Sequence, residues 1–206
     1  MNELINLIVK YFGLALVAIG SQNAIFARGL GLSSGIRMLN DPKKNIFYFC
    51  GSLTVFQLLT SIFVYLVMPF LDIIELSDYR RFLLPTVIVI ACMLSYLLVI
   101  AILRAGLKEE RFKDLLKSVT SASITSAIVG TVILTTSQGL NFVESIIFGL
   151  GSSVGYFIAM ILIAEGYRKI CHEKVPTAFQ GLPITLIYIS ILALAIYGLT
   201  GHTIVL

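Results

Sequence analysis

The stretch "GSQNAIFARGLGLSSG", Gly20 to Gly35, decides how this chain is read, because it interrupts an apolar run that otherwise crosses a membrane. Ser21, Gln22 and Asn23 arrive before the run has ended, and Arg28 and further glycines follow a short apolar interval. Glycine and asparagine favour a bend here. Polar groups at such a point need either partners or a purpose.

Working outward, the chain has 206 residues, 58% hydrophobic and 13% charged, with a mean hydropathy of +0.97. A water-soluble core has no room for that much apolar surface, so the composition specifies an all-α integral membrane protein. Six runs approach or exceed the roughly 20 residues that a crossing helix needs. They fall at Leu4–Phe26, Ile46–Phe70, Phe82–Arg104, Ser118–Ser137, Ser145–Tyr167 and Leu182–Leu206. Residues 1–206 therefore read as one membrane domain. The start "MNELINL" carries Glu3 where a cleavable leader is cationic, so the first run is retained as a helix.

Charge gives the orientation. The loops after the first, third and fifth runs carry net +3, +2 and +1, and the other two carry −1 each. Lysine and arginine mark the cytoplasmic side, which places both termini outside a bacterial cytoplasmic membrane. The net charge of +4 is spread over these short loops, and nucleic acid is not an expected partner. Within the runs, Lys10, Glu165 and His202 lie near the ends, where long side chains reach the interface. No Asp, Glu or His chain occupies the middle, as a stand-alone proton-driven carrier requires. Cys50, Cys92 and Cys171 have no C-x-x-C spacing and read as free thiols, so no metal site is expected.

The two halves echo one another. Asn23-Ala24-Ile25 and Ser126-Ala127-Ile128 lie half a chain apart, as do "GSLTVF" from Gly51 and "GSSVGY" from Gly151. Three spans per half make the second copy enter from the opposite side, so repeat 1 (about 1–104) and repeat 2 (about 105–206) form an inverted pair. Such repeats place their working site where their first helices are broken near the midplane. Breaks are expected near Asn23 and Ser126. The serine-rich "SVTSASITS" from Ser118 has two readings, close helix packing or a functional half-helix tip. On the second reading Gln22, Asn23, Thr125 and Ser126 line a pathway.

Several stretches resemble the Rnf/Nqr family of membrane subunits. They are "NFVESIIFGLGSSVGYFIAMILIAEGYRK" from Asn141, "VPTAFQGLPITLIYISILALAIYGLTG" from Val175, "SDYRRFLLPTVIVIA" from Ser77 and "ARGLGL" from Ala27. The resemblance implies six helices in inverted three-plus-three repeats and a pseudosymmetric pair with a homologous subunit. It also implies a larger complex whose flavin-bearing and iron–sulfur subunits couple electron transfer to ion movement. In the family a [2Fe–2S] cluster lies between the paired subunits, each giving one cysteine per broken helix, in L-G-L-C and T-N-C-A-V-L-G. This chain has Leu30-Gly31-Leu32-Ser33 and Ile124-Thr125-Ser126-Ala127 at those places. Serine hydroxyls are poor replacements for thiolates.

The expected function is thus a membrane subunit of an ion-translocating electron-transfer complex without its own cluster or other cofactor. Flavin and iron–sulfur groups would sit on partner subunits. Two alternatives stay open: a small permease or channel-like subunit, in which a homodimer is an option, and a scaffold factor with no pathway.

Overall fold

The computed structural model describes residues 2–39, 46–73, 80–106, 109–123, 125–170, 176 and 179–200. Among these, all regular structure is helical. The helices are α1 (Asn2–Ile19), α2 (Leu32–Leu39), α3 (Ile46–Ile73), α4 (Arg80–Gly106), α5 (Glu109–Ser123), α6 (Ser126–Ser137), α7 (Phe142–Ile170) and α8 (Leu182–Thr200).

Five segments are long and apolar enough to cross a bilayer: Ile46–Pro69, Phe82–Gly106, Ser118–Ser137, Phe142–Lys169 and Leu182–Thr200. The first expected span is not among them. Its helix stops at Ile19 rather than continuing to Phe26, because the chain turns at Gly20. The apolar signal of Ala24–Phe26 belongs to a separate turn beyond the bend. Asp41, Lys43, Lys44, Glu75, Asp78, Cys171, His172, Lys174 and residues 201–206 lie outside the described residues, and with them parts of the charge and cysteine readings.

α7 organises the interior. Lys10 pairs with Glu144 at 2.6 Å, so this lysine is tied to α7 instead of reaching alone for the interface. A Cβ on Gly151 would fall 2.8 Å from Ala15 O, and one on Gly155 would fall 2.9 Å from Ile19 O. Contacts that advance together along both chains mean that α1 and α7 run parallel, and the two glycines let their backbones nearly touch. α3 runs the other way along α7: Tyr65 bonds Ser145 Oγ and the Leu140 carbonyl, and farther back Gln57 meets Ser153. Phe49, Leu53 and Phe56 of α3, Ile128 of α6, and Tyr156, Met160 and Ile163 of α7 belong to one buried apolar cluster. By contrast α8 buries little beyond Thr185 and Ile189 and turns Leu194 and Leu199 outward.

The parallel pair also gives depth. At about 1.5 Å of rise per residue, Lys10 and Gly20 are about 15 Å apart along α1, half of a hydrocarbon core about 30 Å thick. The bend at Gly20 therefore lies well along α1 from the Lys10–Glu144 pair.

Gly151→Val forces a side chain against the α1 backbone. It is expected to cost about 2 kcal/mol, within the range for overpacked contacts, read as a lower midpoint in thermal unfolding of the detergent-solubilised protein.

Candidate functional site

Two discontinuities meet in the middle of the molecule. The first runs from Gly20 to Gly31, and the second separates α5 from α6, where Thr125 has extended dihedrals of φ −112° and ψ 140°. Broken backbone at this depth must find hydrogen bonds within the protein, since hydrocarbon supplies none.

Asn23 supplies them at the first break. Its side chain is buried; Nδ2 donates to the Ile19 carbonyl at 2.9 Å, while Oδ1 accepts from the N–H groups of Ile25 (3.0 Å) and Phe26 (3.2 Å). One amide thereby closes the C-terminal end of α1 and opens the next turn, in which Ala27 N–H bonds Asn23 O and Gly29 N–H bonds Ile25 O. Asparagine suits this place because it both donates and accepts. Across the interface stands Gly155, whose missing Cβ would lie 2.9 Å from Nδ2.

At the other end of the break, Gly31 is held by the second half of the chain. Its N–H donates to Ser126 Oγ at 2.8 Å, and its carbonyl accepts from the Tyr156 hydroxyl at 2.9 Å. Its φ of +74° lies in the left-handed region, and a Cβ there would come within 2.7 Å of the Tyr156 ring and 2.9 Å of Ala127. Next to it, the Leu30 side chain fills the notch left by Gly130. Backbone from the first break is thus seated on side chains from beside the second.

The residues singled out from the sequence occupy different parts of this arrangement. Asn23 and Ser126 are joined to the two ends of the first break. Thr125 is buried, with its hydroxyl 3.4 Å from the Ala122 carbonyl. Gln22 reaches Gln138 at 3.3 Å on the exposed side. Ser33 is exposed in the first turn of α2, two positions beyond Gly31. Arg28 is exposed on the break itself and borders two surface concavities of about 600 and 620 Å³, one against α8 and one against α6.

Tyr156 and Gln57 were not singled out from sequence. Tyr156 stands in "GSSVGY", one of the two repeat echoes, and its partner lies 125 positions away. Gln57 had a signal, a lone amide within "LTVFQLLTSIF" in mid-span.

The cluster chemistry implied by the resemblance does not fit these residues. Ser33 and Ser126 offer hydroxyls where iron requires thiolate or imidazole, and the Ser126 oxygen already accepts a backbone N–H. Cys50 and Cys92 are buried on α3 and α4, and Cys92 Sγ accepts from Thr60 at 3.7 Å. Among the described residues, no group of three or more His, Cys, Asp or Glu side chains is arranged to hold a metal.

The sequence matches the Rnf-Nqr subunit family of membrane proteins over residues 11–203. This chain belongs to the Rnf-Nqr family. It is similar to a subunit of the ion-translocating oxidoreductase complex of Buchnera aphidicola subsp. Baizongia pistaciae, 27% identical over 147 residues, 66% of this chain and 73% of that protein. It is also similar to the identically named subunits from Syntrophotalea carbinolica (40% over 75 residues) and Aromatoleum aromaticum (37% over 75 residues). Each of those two matches covers 36% of this chain and 39% of the relative. Within this Rnf-Nqr chain, Ser126→Ala removes the acceptor for Gly31 N–H. The expected cost is about 1–2 kcal/mol, that of leaving a buried donor unpaired, measured as a lower thermal midpoint with the fold retained.

Proposed function

We propose that this chain is a membrane subunit of an ion-translocating electron-transfer complex of the Rnf-Nqr kind, and that it carries no iron–sulfur cluster of its own. The observation that carries this reading is the use of Ser126. At a position where the family presents a thiolate, its hydroxyl holds the Gly31 backbone of the opposite break. The chain's part is then to supply a structured mid-membrane scaffold, while electrons travel on flavin or iron–sulfur groups of partner subunits.

The inverted three-plus-three arrangement is part of the same proposal. It is supported by the two mid-membrane breaks, by the parallel course of α1 and α7 and by the antiparallel course of α3 and α7, all as six alternating spans require. A homologous subunit is the proposed partner, paired across the face that carries Arg28, Ser33 and Ser126. Both termini would face outward in a bacterial cytoplasmic membrane, on the charge bias of the loops.

The test is purification of the native assembly in mild detergent, followed by flavin, iron and acid-labile sulfide analysis. A flavin-carrying partner should accompany the chain, and the chain separated from it should hold no stoichiometric iron. Iron and sulfide bound by the isolated chain would refute the cluster-free assignment. A lone homodimer with no redox partner would refute the complex itself.

A further inference from the structure

The face between α3 and α7 holds a polar seam that the proposed function does not use. On α3, Gln57, Ser61 and Tyr65 recur every four residues and share one face, and Ser145, Gly149 and Ser153 do the same on α7. Two hydrogen bonds fix the antiparallel register. Tyr65 joins Ser145 near the edge marked by Lys10 and Glu144, and Gln57 joins Ser153 at 3.0 Å deeper in. Ser61 lies one helical turn from Gln57 on α3, and Gly149 one turn from Ser153 on α7. All of these side chains except Tyr65 are nearly inaccessible: Gln57 is 1% exposed, Ser61 2%, Ser145 0% and Ser153 3%.

One polar atom in this seam has no partner. Ser153 Oγ lies 3.0 Å from the Gly149 carbonyl as well as 3.0 Å from the Gln57 amide. A hydroxyl has a single proton to give. If it goes to the amide, Gln57 Nε2 is left without an acceptor. If it goes to Gly149, the amide turns its nitrogen to Ser153 and leaves its oxygen without a donor. Either way one end of a buried amide is unpaired, and that end lies 3.7 Å from the place a Gly149 Cβ would occupy. Inside a membrane protein such an end calls for a small polar ligand.

We infer that the seam binds an ordered water molecule at the free end of the Gln57 amide, beside Gly149. Water is the ligand that fits because it both donates and accepts, and so can complete either amide orientation. Gly149 leaves the space: a methyl group added there meets Gln57 atoms only at 3.7 and 3.8 Å, so it excludes a water without a clash. The seam is therefore hydrated one to two helical turns along α7 from the Tyr65–Ser145 contact. This inference is independent of the redox reading.

The test uses the full chain in lipid bilayers with ¹⁵N-labelled glutamine and water-edited solid-state NMR. Gln57→Met, which deletes one of the side-chain amide resonances, assigns the signal. The Gln57 amide should receive magnetisation from water despite its burial, and Gly149→Ala should abolish that transfer. Gly149→Ala should also lower the thermal midpoint by several degrees, since it displaces the water and leaves the amide unpaired. A dry site gives the opposite sign, because alanine in a helix is favoured over glycine. Absence of the water contact in the unaltered protein, or an unchanged or raised midpoint in Gly149→Ala, overturns the site.

Discussion

Asn23→Leu is expected to destabilise the protein by about 3–5 kcal/mol, from several buried backbone groups left unpaired at about 1–3 kcal/mol each. Leucine keeps the branched outline of asparagine and is no smaller, so the loss comes from hydrogen bonding rather than from a cavity. It strands the Ile19 carbonyl and the N–H groups of Ile25 and Phe26, which hydrocarbon cannot satisfy. Asn23→Ser keeps one acceptor and should fall between the two. Buried Cys50 and Cys92 provide the readout, through a thiol-reactive fluorophore that responds as they become exposed on heating. An Asn23→Leu protein that unfolds at the original midpoint would show that the break does not depend on this amide. A pathway-lining role predicts a different pattern, with lost transport and an unchanged midpoint.

Gly31→Val should prevent accumulation of the folded protein. Three penalties coincide: a β-branched residue at φ +74°, a Cβ 2.7 Å from the Tyr156 ring, and displacement of the Ser126 and Tyr156 hydrogen bonds. Gly31→Ala should cost about 3 kcal/mol, the sum of backbone strain and a tight contact. Gly29 is the internal control. It too has positive φ, at +65°, but nothing lies within 4 Å of its missing Cβ. Gly29→Ala should therefore cost only about 1–2 kcal/mol, from the left-handed conformation alone. If both alanines behave alike, steric fit at Gly31 contributes nothing.

Much of this architecture can be read from residue types. The apolar runs mark five spans well, and the polar interruption at Ser21–Asn23 marks the first break, because glycine and asparagine act locally on the backbone. The hydroxyl-rich run before Ser126 marks the second. The end of α1 was harder, since Ala24–Phe26 continue the apolar signal past the bend and hydropathy carries no information on backbone direction. The functions of Asn23 and Ser126 were legible only as polarity at depth. That Asn23 caps its own break, and that Ser126 holds Gly31, depends on contacts the sequence does not order. Gln57 is hard to read from sequence because a single amide hardly alters the mean hydropathy of a long apolar helix. Its importance comes from the register of α3 on α7, which a periodicity within one helix does not supply.

The closure of Gly31 also has a consequence for synthesis. Its two partners lie 95 and 125 positions further along the chain, so neither has left the ribosome when the first break enters the membrane. Until then the Gly31 N–H and C=O must be held by lipid headgroup water or by the insertion machinery. The centre of this protein is consequently completed only after α6 and the first half of α7 have been synthesised.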